Sequence, residues 1–189
     1  WIKERYLLAL DMDGTLLKSD KTISKNTASS LYEASNRGQS ICLCTGRGLA
    51  ELKDYEGELD FCDYGILLSG CLNYDFKNNK PLEIHSFDTD VFTQMMDIVK
   101  KEDVMLYLLD SSHSIASQKD VENMPYYNMA IYQSMFESRA EAVEDIYEYA
   151  NKHKNEILKF CLYNPSVDAM NQLLKKLEVF PVSCAVVEE

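Results

Sequence analysis

None of the six cysteines (Cys42, Cys44, Cys62, Cys71, Cys161, Cys184) forms a Cys-x-x-Cys pair, and none of the three histidines stands at metal-ligand spacing. That pattern excludes a zinc ribbon or finger and fits reduced, mostly buried thiols, so the expected location is cytoplasmic. Positive charge is also scarce. With 19 Lys and Arg against 31 Asp and Glu, the formal net charge is -12. Nucleic-acid affinity rests on clustered basic residues that release counterions, so this balance argues against nucleic acid and against anionic membrane as partners. The longest apolar runs fall far short of a membrane span, and the start Trp1-Ile2-Lys3-Glu4-Arg5 has no signal-peptide pattern. Internal repeats and low-complexity segments are likewise absent. What is present is 189 residues, 46% of them hydrophobic, enough for one large domain or two small ones.

The first third alternates strand and helix signals. Tyr6 to Leu10 is an apolar run ending in acid, the reading of a strand covered on both faces. Ser24 is a candidate N-cap, Ala28, Leu31 and Tyr32 follow at helical spacing, and Gly38 stands where a helix terminus wants glycine. Ser40 to Cys44 reads as a second buried strand, Thr45-Gly46-Arg47-Gly48 as the turn into a short helix with Leu49 and Leu52, and Tyr64 to Leu68 as a third strand. Strands separated by helices predict an α/β fold with a parallel, doubly wound sheet.

From about Asp75 the pattern changes, first to a hairpin-like turn over Asp75 to Pro81 and then to longer amphipathic helices between alternating strands. The expected division is a core over 1–81 and an α+β domain over 82–189. Phe92, Met95, Met96 and Val99 form one helix stripe and Met170, Leu173, Leu174 and Leu177 another. Between them, Val143, Ile146, Tyr147 and Ala150 predict a helix opened by a capping box at Ser138-Arg139-Ala140-Glu141. Val104 to Leu109, Leu158-Phe160-Leu162 and Val182-Cys184-Val186 read as strands.

Ligands of an open parallel sheet bind beyond the carboxyl ends of its strands, where Asp11, Asp13 and Thr45 fall. Asp11 and Asp13 are two apart and start on one side of the strand, and Gly14 lets the chain swing away from them. One carboxylate can attack phosphorus to give an acyl phosphate while the other moves protons. Thr45-Gly46 would bring a hydroxyl and backbone N–H groups at a helix start, a setting that favours phosphate. Asp-Gly alone is commonly a hairpin turn. A calcium loop is disfavoured because Gly14 comes early and Thr22 stands where the bidentate Glu belongs.

Asp11-Met12-Asp13-Gly14-Thr15-Leu16-Leu17 resembles the first motif of the haloacid dehalogenase superfamily, and Cys44-Thr45-Gly46-Arg47 its second. Ile23-Ser24, Gly38 and Leu68-Ser69-Gly70-Cys71 resemble the type IIB, Cof-like sugar-phosphatase branch, with Ser69 where that branch usually has Asn. The resemblance implies that Asp11 is the nucleophile and a magnesium ligand, and that Asp13 is the acid/base with its carbonyl on the metal. By it, Met12, Thr45, Gly46 and Arg47 touch phosphate, and Ser69 and Gly70 meet substrate. It further implies an α+β cap from about Leu82 that selects the substrate, a small phosphorylated metabolite such as a sugar or cofactor phosphate.

The family's Lys motif and its second acidic motif follow the cap, and Val186 to Glu189 resembles the cap's last strand. The expectation is therefore a chain truncated after the cap, impaired in turnover, and prone to self-association through the exposed edge of its first strand. The alternative is a non-enzymatic remnant that binds phosphometabolites or a partner chain; a receiver-type regulatory domain suits the two-domain pattern less well. Asp20, Asp63 and Asp75 are conceivable stand-in metal ligands. His85, His113 and His153 read as surface or packed residues, Tyr126 and Tyr127 as packing, and Glu141, Glu144, Asp145 and Glu148 as a solvated helix face.

Overall fold

The computed structural model describes residues 4–184, and the chain divides into two compact units, Trp1–His85 and Ser86–Glu189. The division falls four residues later than 81/82. Leu82 to Ile84 belong to a strand paired into the first sheet, so their backbone groups tie them to the first unit.

In the first unit, β1 (Leu7–Asp11), β2 (Ser40–Cys44) and β3 (Tyr64–Leu67) pair in parallel, and β4 (Leu72–Asp75) and β5 (Lys80–Ile84) extend the sheet antiparallel, in the order β1-β2-β3-β4-β5. The parallel part is the expected α/β core. The hairpin turn has strands on both sides that sequence periodicity did not mark, because Pro81 and the charges of β5 argue against a strand. At a sheet edge both are tolerated, since no neighbour requires the missing N–H.

Helix α1 (Lys25–Asn36) connects β1 to β2. Ser24 Oγ accepts the Thr27 N–H at 3.1 Å, and Gly38, at φ 85°, closes the other end by donating its N–H to Ser35. Ile41, Leu43, Leu67 and Leu72, all fully buried, share one face of the sheet. The opposite face is open among the described residues. Leu7 is 64% exposed, Tyr64 40% and Ile66 42%, so β1 is not covered on both faces as its apolar run suggested. At the end of the sheet away from the strand carboxyl termini, buried Asp63 accepts the Ile41 N–H at 2.8 Å and pairs with the Lys77 ammonium. That clasp fastens β2 and the start of β3 to the β4-β5 hairpin.

The second unit has its own four-stranded sheet, in the order β8-β7-β6-β9: β6 (Met105–Leu109), β7 (Ser114–Ser117), β8 (Ala140–Val143) and β9 (Lys159–Tyr163). Helices α3 (Thr89–Val99), α6 (Ile146–Lys152) and α7 (Val167–Leu177) bring Phe92, Met95, Ile146, Ala150, Leu173 and Leu177 into one core with Leu106 and Leu108. Two shorter helices, α4 (Gln118–Glu122) and α5 (Gln133–Arg139), connect β7 to β8.

Two sequence expectations are corrected here. Ser138-Arg139-Ala140-Glu141 is not a capping box, since Ala140–Val143 is a strand parallel to β7, which puts Glu141 on a strand. Helix α6 is capped by Asp145, whose carboxylate accepts the N–H groups of Tyr147 and Glu148 at 2.9 and 3.0 Å. Val182 and Cys184 lie in irregular chain rather than a strand, and Val186 lies outside the described residues. No helix among the described residues is long and apolar enough to cross a membrane.

Candidate active site

Because β1, β2 and β3 run parallel, their carboxyl ends share one edge of the sheet. Asp11 lies opposite Cys44, and Cys44 opposite Ile66, so the three following loops start level with one another. Residues Met12–Leu16 turn tightly and are closed by the Leu17 N–H donating to the Met12 carbonyl at 2.9 Å, with Gly14 at φ 75°. Few side chains accept that conformation, which is the use of glycine here. Met12 is fully buried and anchors the loop to the core beneath it.

The Asp11 carboxylate is exposed, and the Thr15 hydroxyl donates to its Oδ2 at 2.9 Å. Asp13 is engaged more heavily. Arg47 Nε donates to Asp13 Oδ2 at 2.8 Å, Arg47 Nη2 to Oδ1 at 2.9 Å, and Lys21 Nζ to Oδ1 at 3.0 Å. The bidentate Arg47 guanidinium, with help from Lys21, holds the Asp13 carboxyl at about 2 against an opposing effect of burial. Asp13 raises the guanidinium pKa in return, and the Arg47 head lies 5.6 Å from the Tyr55 ring centroid.

The second and third loops are knitted together. Buried Thr45 donates its N–H to the Ile66 carbonyl at 3.0 Å, its hydroxyl accepts the Arg47 N–H at 3.2 Å, and its carbonyl accepts the Ser69 N–H at 3.1 Å. The Leu68 N–H donates to the Arg47 carbonyl at 3.0 Å. Leu68, Ser69 and Gly70 all have positive φ, at 52°, 58° and 100°. A fully buried leucine in that region is an outlier of the kind that collects at functional sites.

The start of the short helix α2 (Leu49–Leu52) differs from the sequence expectation. Gly48 is its N-cap, and the Gly48 N–H donates to Glu51 Oε2 at 2.7 Å, so a carboxylate of the chain itself closes that terminus. Buried Thr45 and exposed Gly46 follow Cys44, the residue opposite Asp11 in the sheet. Sequence reasoning missed Lys21, Thr15, Tyr55 and Glu51. Thr15, four residues after Asp11, and Glu51, three after Gly48, carry local signals. The conceivable stand-in ligands lie elsewhere: Asp20 is taken up by Lys18 and Thr22, Asp63 by Ile41 and Lys77, and Asp75 by Asn78.

Among the described residues no three His, Cys, Asp or Glu side chains converge as a metal cage. The exposed Asp11 carboxylate is an oxygen donor at the strand end. Magnesium commonly keeps several waters and takes one or two carboxylates besides substrate oxygens, so this carboxylate fits it as part of such a shell.

The Asp13 pair makes a pH prediction. An unfolded Asp near the ordinary 3.8 binds protons more readily than the folded group at about 2. The stabilisation is therefore complete above about pH 4 and is lost as pH falls towards about 2. Urea unfolding across that window should show a steeper loss for the wild type than for Arg47→Met; parallel losses would mean that the pair contributes nothing.

Residues 8–187 match the family of haloacid dehalogenase-like hydrolases. The 5-amino-6-(5-phospho-D-ribitylamino)uracil phosphatase YitU of Bacillus subtilis is 33% identical over 100 residues, which are 52% of this chain and 37% of that protein. Pyridoxal phosphate phosphatase YbhA of Escherichia coli is 22% identical over 181 residues, 91% of this chain and 63% of its own length. The chain thus spans less than two thirds of these relatives. Among solved structures, a subclass IIB sugar phosphatase of the same superfamily shares the fold at TM-score 0.66 and 16% identity, over 93% of this chain and 64% of that one. With the family match running across both units, this chain belongs to the haloacid dehalogenase-like hydrolases.

Proposed function

We propose that the chain carries the nucleophile half of a magnesium-dependent phosphatase of small phosphorylated metabolites, sugar or cofactor phosphates, acting through an aspartyl phosphate on Asp11 in the cytoplasm. The observation that carries this reading is the exposed Asp11 carboxylate at the end of β1, opposite Cys44, which ends β2 immediately before Thr45. Family membership and the substrates in the relatives' names support it.

In this reading the phosphate docks against the loop at Met12 and against Thr45, Gly46 and Arg47, with Ser69 and Gly70 near the substrate body. An Asp11 carboxylate oxygen attacks phosphorus as the ester P–O bond breaks, and Asp13 gives the leaving oxygen its proton. Asp13 then takes a proton from the water that attacks the acyl phosphate, releasing inorganic phosphate and restoring Asp11. Held by Arg47 and Lys21, Asp13 is ionised, so this proton traffic requires it to exchange those contacts. Asp11 and the Asp13 carbonyl would hold magnesium, which when bound offsets the charge of the phosphoryl oxygens. We assign substrate selection to the second unit. Phosphate release from a panel of sugar and cofactor phosphates tests the reading: release that requires magnesium and stops with a chelator supports it, and release indifferent to the metal removes it.

A self-association reading has one observation in its favour. Among the described residues strand β1 is an edge of its sheet, and Leu7 on it is largely exposed, so its outer backbone groups can accept another strand. Sedimentation should show a concentration-dependent dimer that a proline at Ala9 weakens; a monomer throughout would remove this reading.

A further inference from the structure

Lys21 stands at the tip of a short turn between the nucleophile loop and α1. The turn is held by several bonds: the Lys18 N–H donates to Thr22 and the Lys21 N–H to Lys18, both at 2.9 Å, and the Thr22 hydroxyl donates to Asp20 at 2.7 Å. Leu17 and Ile23 bridge across its base. Lys21 itself has φ 61°, a left-handed conformation that glycine or asparagine holds with less strain.

The strained backbone carries an ammonium that lies 3.0 Å from Asp13 Oδ1, the same oxygen that Arg47 Nη2 reaches at 2.9 Å. These two cations differ in freedom. The Arg47 side chain is 17% exposed and lies over Tyr55, whereas Lys21 is 55% exposed on a flexible stem. A phosphate ester offers the anionic oxygens that both cations now find on Asp13, with more charge. Lysine, a compact point charge with rotatable donors, is suited to change partners.

We propose that Lys21 is a phosphate-docking residue: with Arg47 it neutralises Asp13 before the ester arrives, then shifts its ammonium from Asp13 Oδ1 to the phosphate oxygens and leaves Asp13 to Arg47 alone. This rests on the phosphatase reading and adds to it a residue outside both sequence motifs. The same step explains how an anionic ester enters beside two carboxylates.

Calorimetric titration with inorganic phosphate tests the proposal on the chain as it stands. Lys21→Gly relieves the left-handed backbone, so its melting temperature stays level or rises and weaker binding cannot be ascribed to unfolding. We expect it to weaken phosphate binding about tenfold, the loss of one charge-assisted hydrogen bond, and to flatten the salt dependence. Lys21→Arg should retain binding. Lys18→Ala, which removes an equal charge from the same turn, should change binding by less than about twofold. Equal binding by Lys21→Gly and Lys18→Ala overturns the proposal. Thr45→Val separates the two failures: if it weakens binding while Lys21→Gly does not, only the Lys21 assignment falls. If the wild type binds no phosphate, the assignment falls together with the phosphatase reading.

Discussion

Asp11→Asn is expected to abolish phosphoryl capture, lowering it by at least about a thousandfold, because a carboxamide oxygen is a poor nucleophile and no other group in the loop has its position. The fold should survive the change. Thr15 can still donate to the Asn carbonyl, and the side chain is exposed, so no buried partner is stranded. Unfolding in urea should match the wild type within experimental scatter while capture of a phosphoryl mimic such as fluoroberyllate disappears. Capture retained at a tenth of the wild-type level or more would transfer the nucleophile role elsewhere.

The second large effect is expected at Asp13 and has a different signature. Asp13→Asn leaves the nucleophile intact, so capture of fluoroberyllate, which has no leaving group to protonate, persists, whereas turnover should fall by about 10²–10⁴-fold with the loss of proton transfer. Binding should move the other way. The substitution removes a negative charge from the loop and loosens Arg47 and Lys21 for an incoming phosphate, so KM should hold or drop while kcat falls. A raised KM with unchanged kcat would instead make Asp13 only an anchor for Arg47. Steady-state kinetics beside fluoroberyllate capture separate the two.

How the site was read from sequence differs between its local and its long-range parts. Asp11, Gly14, Thr45, the Ser24 cap and the Gly38 terminus were readable because each follows from neighbours within a few residues: a run that ends in acid, a turn that needs positive φ, a helix that needs a cap. The pairing of Arg47 with Asp13 crosses 34 residues and exists because two parallel strands end side by side, which no local pattern encodes. Lys21 was hidden for a related reason, since nothing in Asp20-Lys21-Thr22 distinguishes a lysine aimed back at Asp13 from one in solvent.

In the second unit, Ala140–Val143 reads as helix because Ala and Glu are good helix formers. Pairing with Ser114–Ser117 overrides that propensity, a tertiary decision of the kind that short segments commonly follow. The helix stripes of α3 and α7 were readable because apolar spacing and burial coincide at Phe92, Met95, Met96, Val99, Leu173 and Leu177. The open face of the first sheet was not, since the apolar run of β1 looks the same whether one face or two are covered.

The central claim is that Asp11 receives the phosphoryl group. Borohydride reduction of the chain after incubation with a phosphate ester and magnesium turns an acyl phosphate into an alcohol at the residue that bore it, and peptide mass spectrometry locates that residue. The account predicts a single reduced aspartate, converted to homoserine at position 11 and absent from Asp11→Asn; reduction at Asp13 or any other carboxylate, with Asp11 untouched, would contradict it.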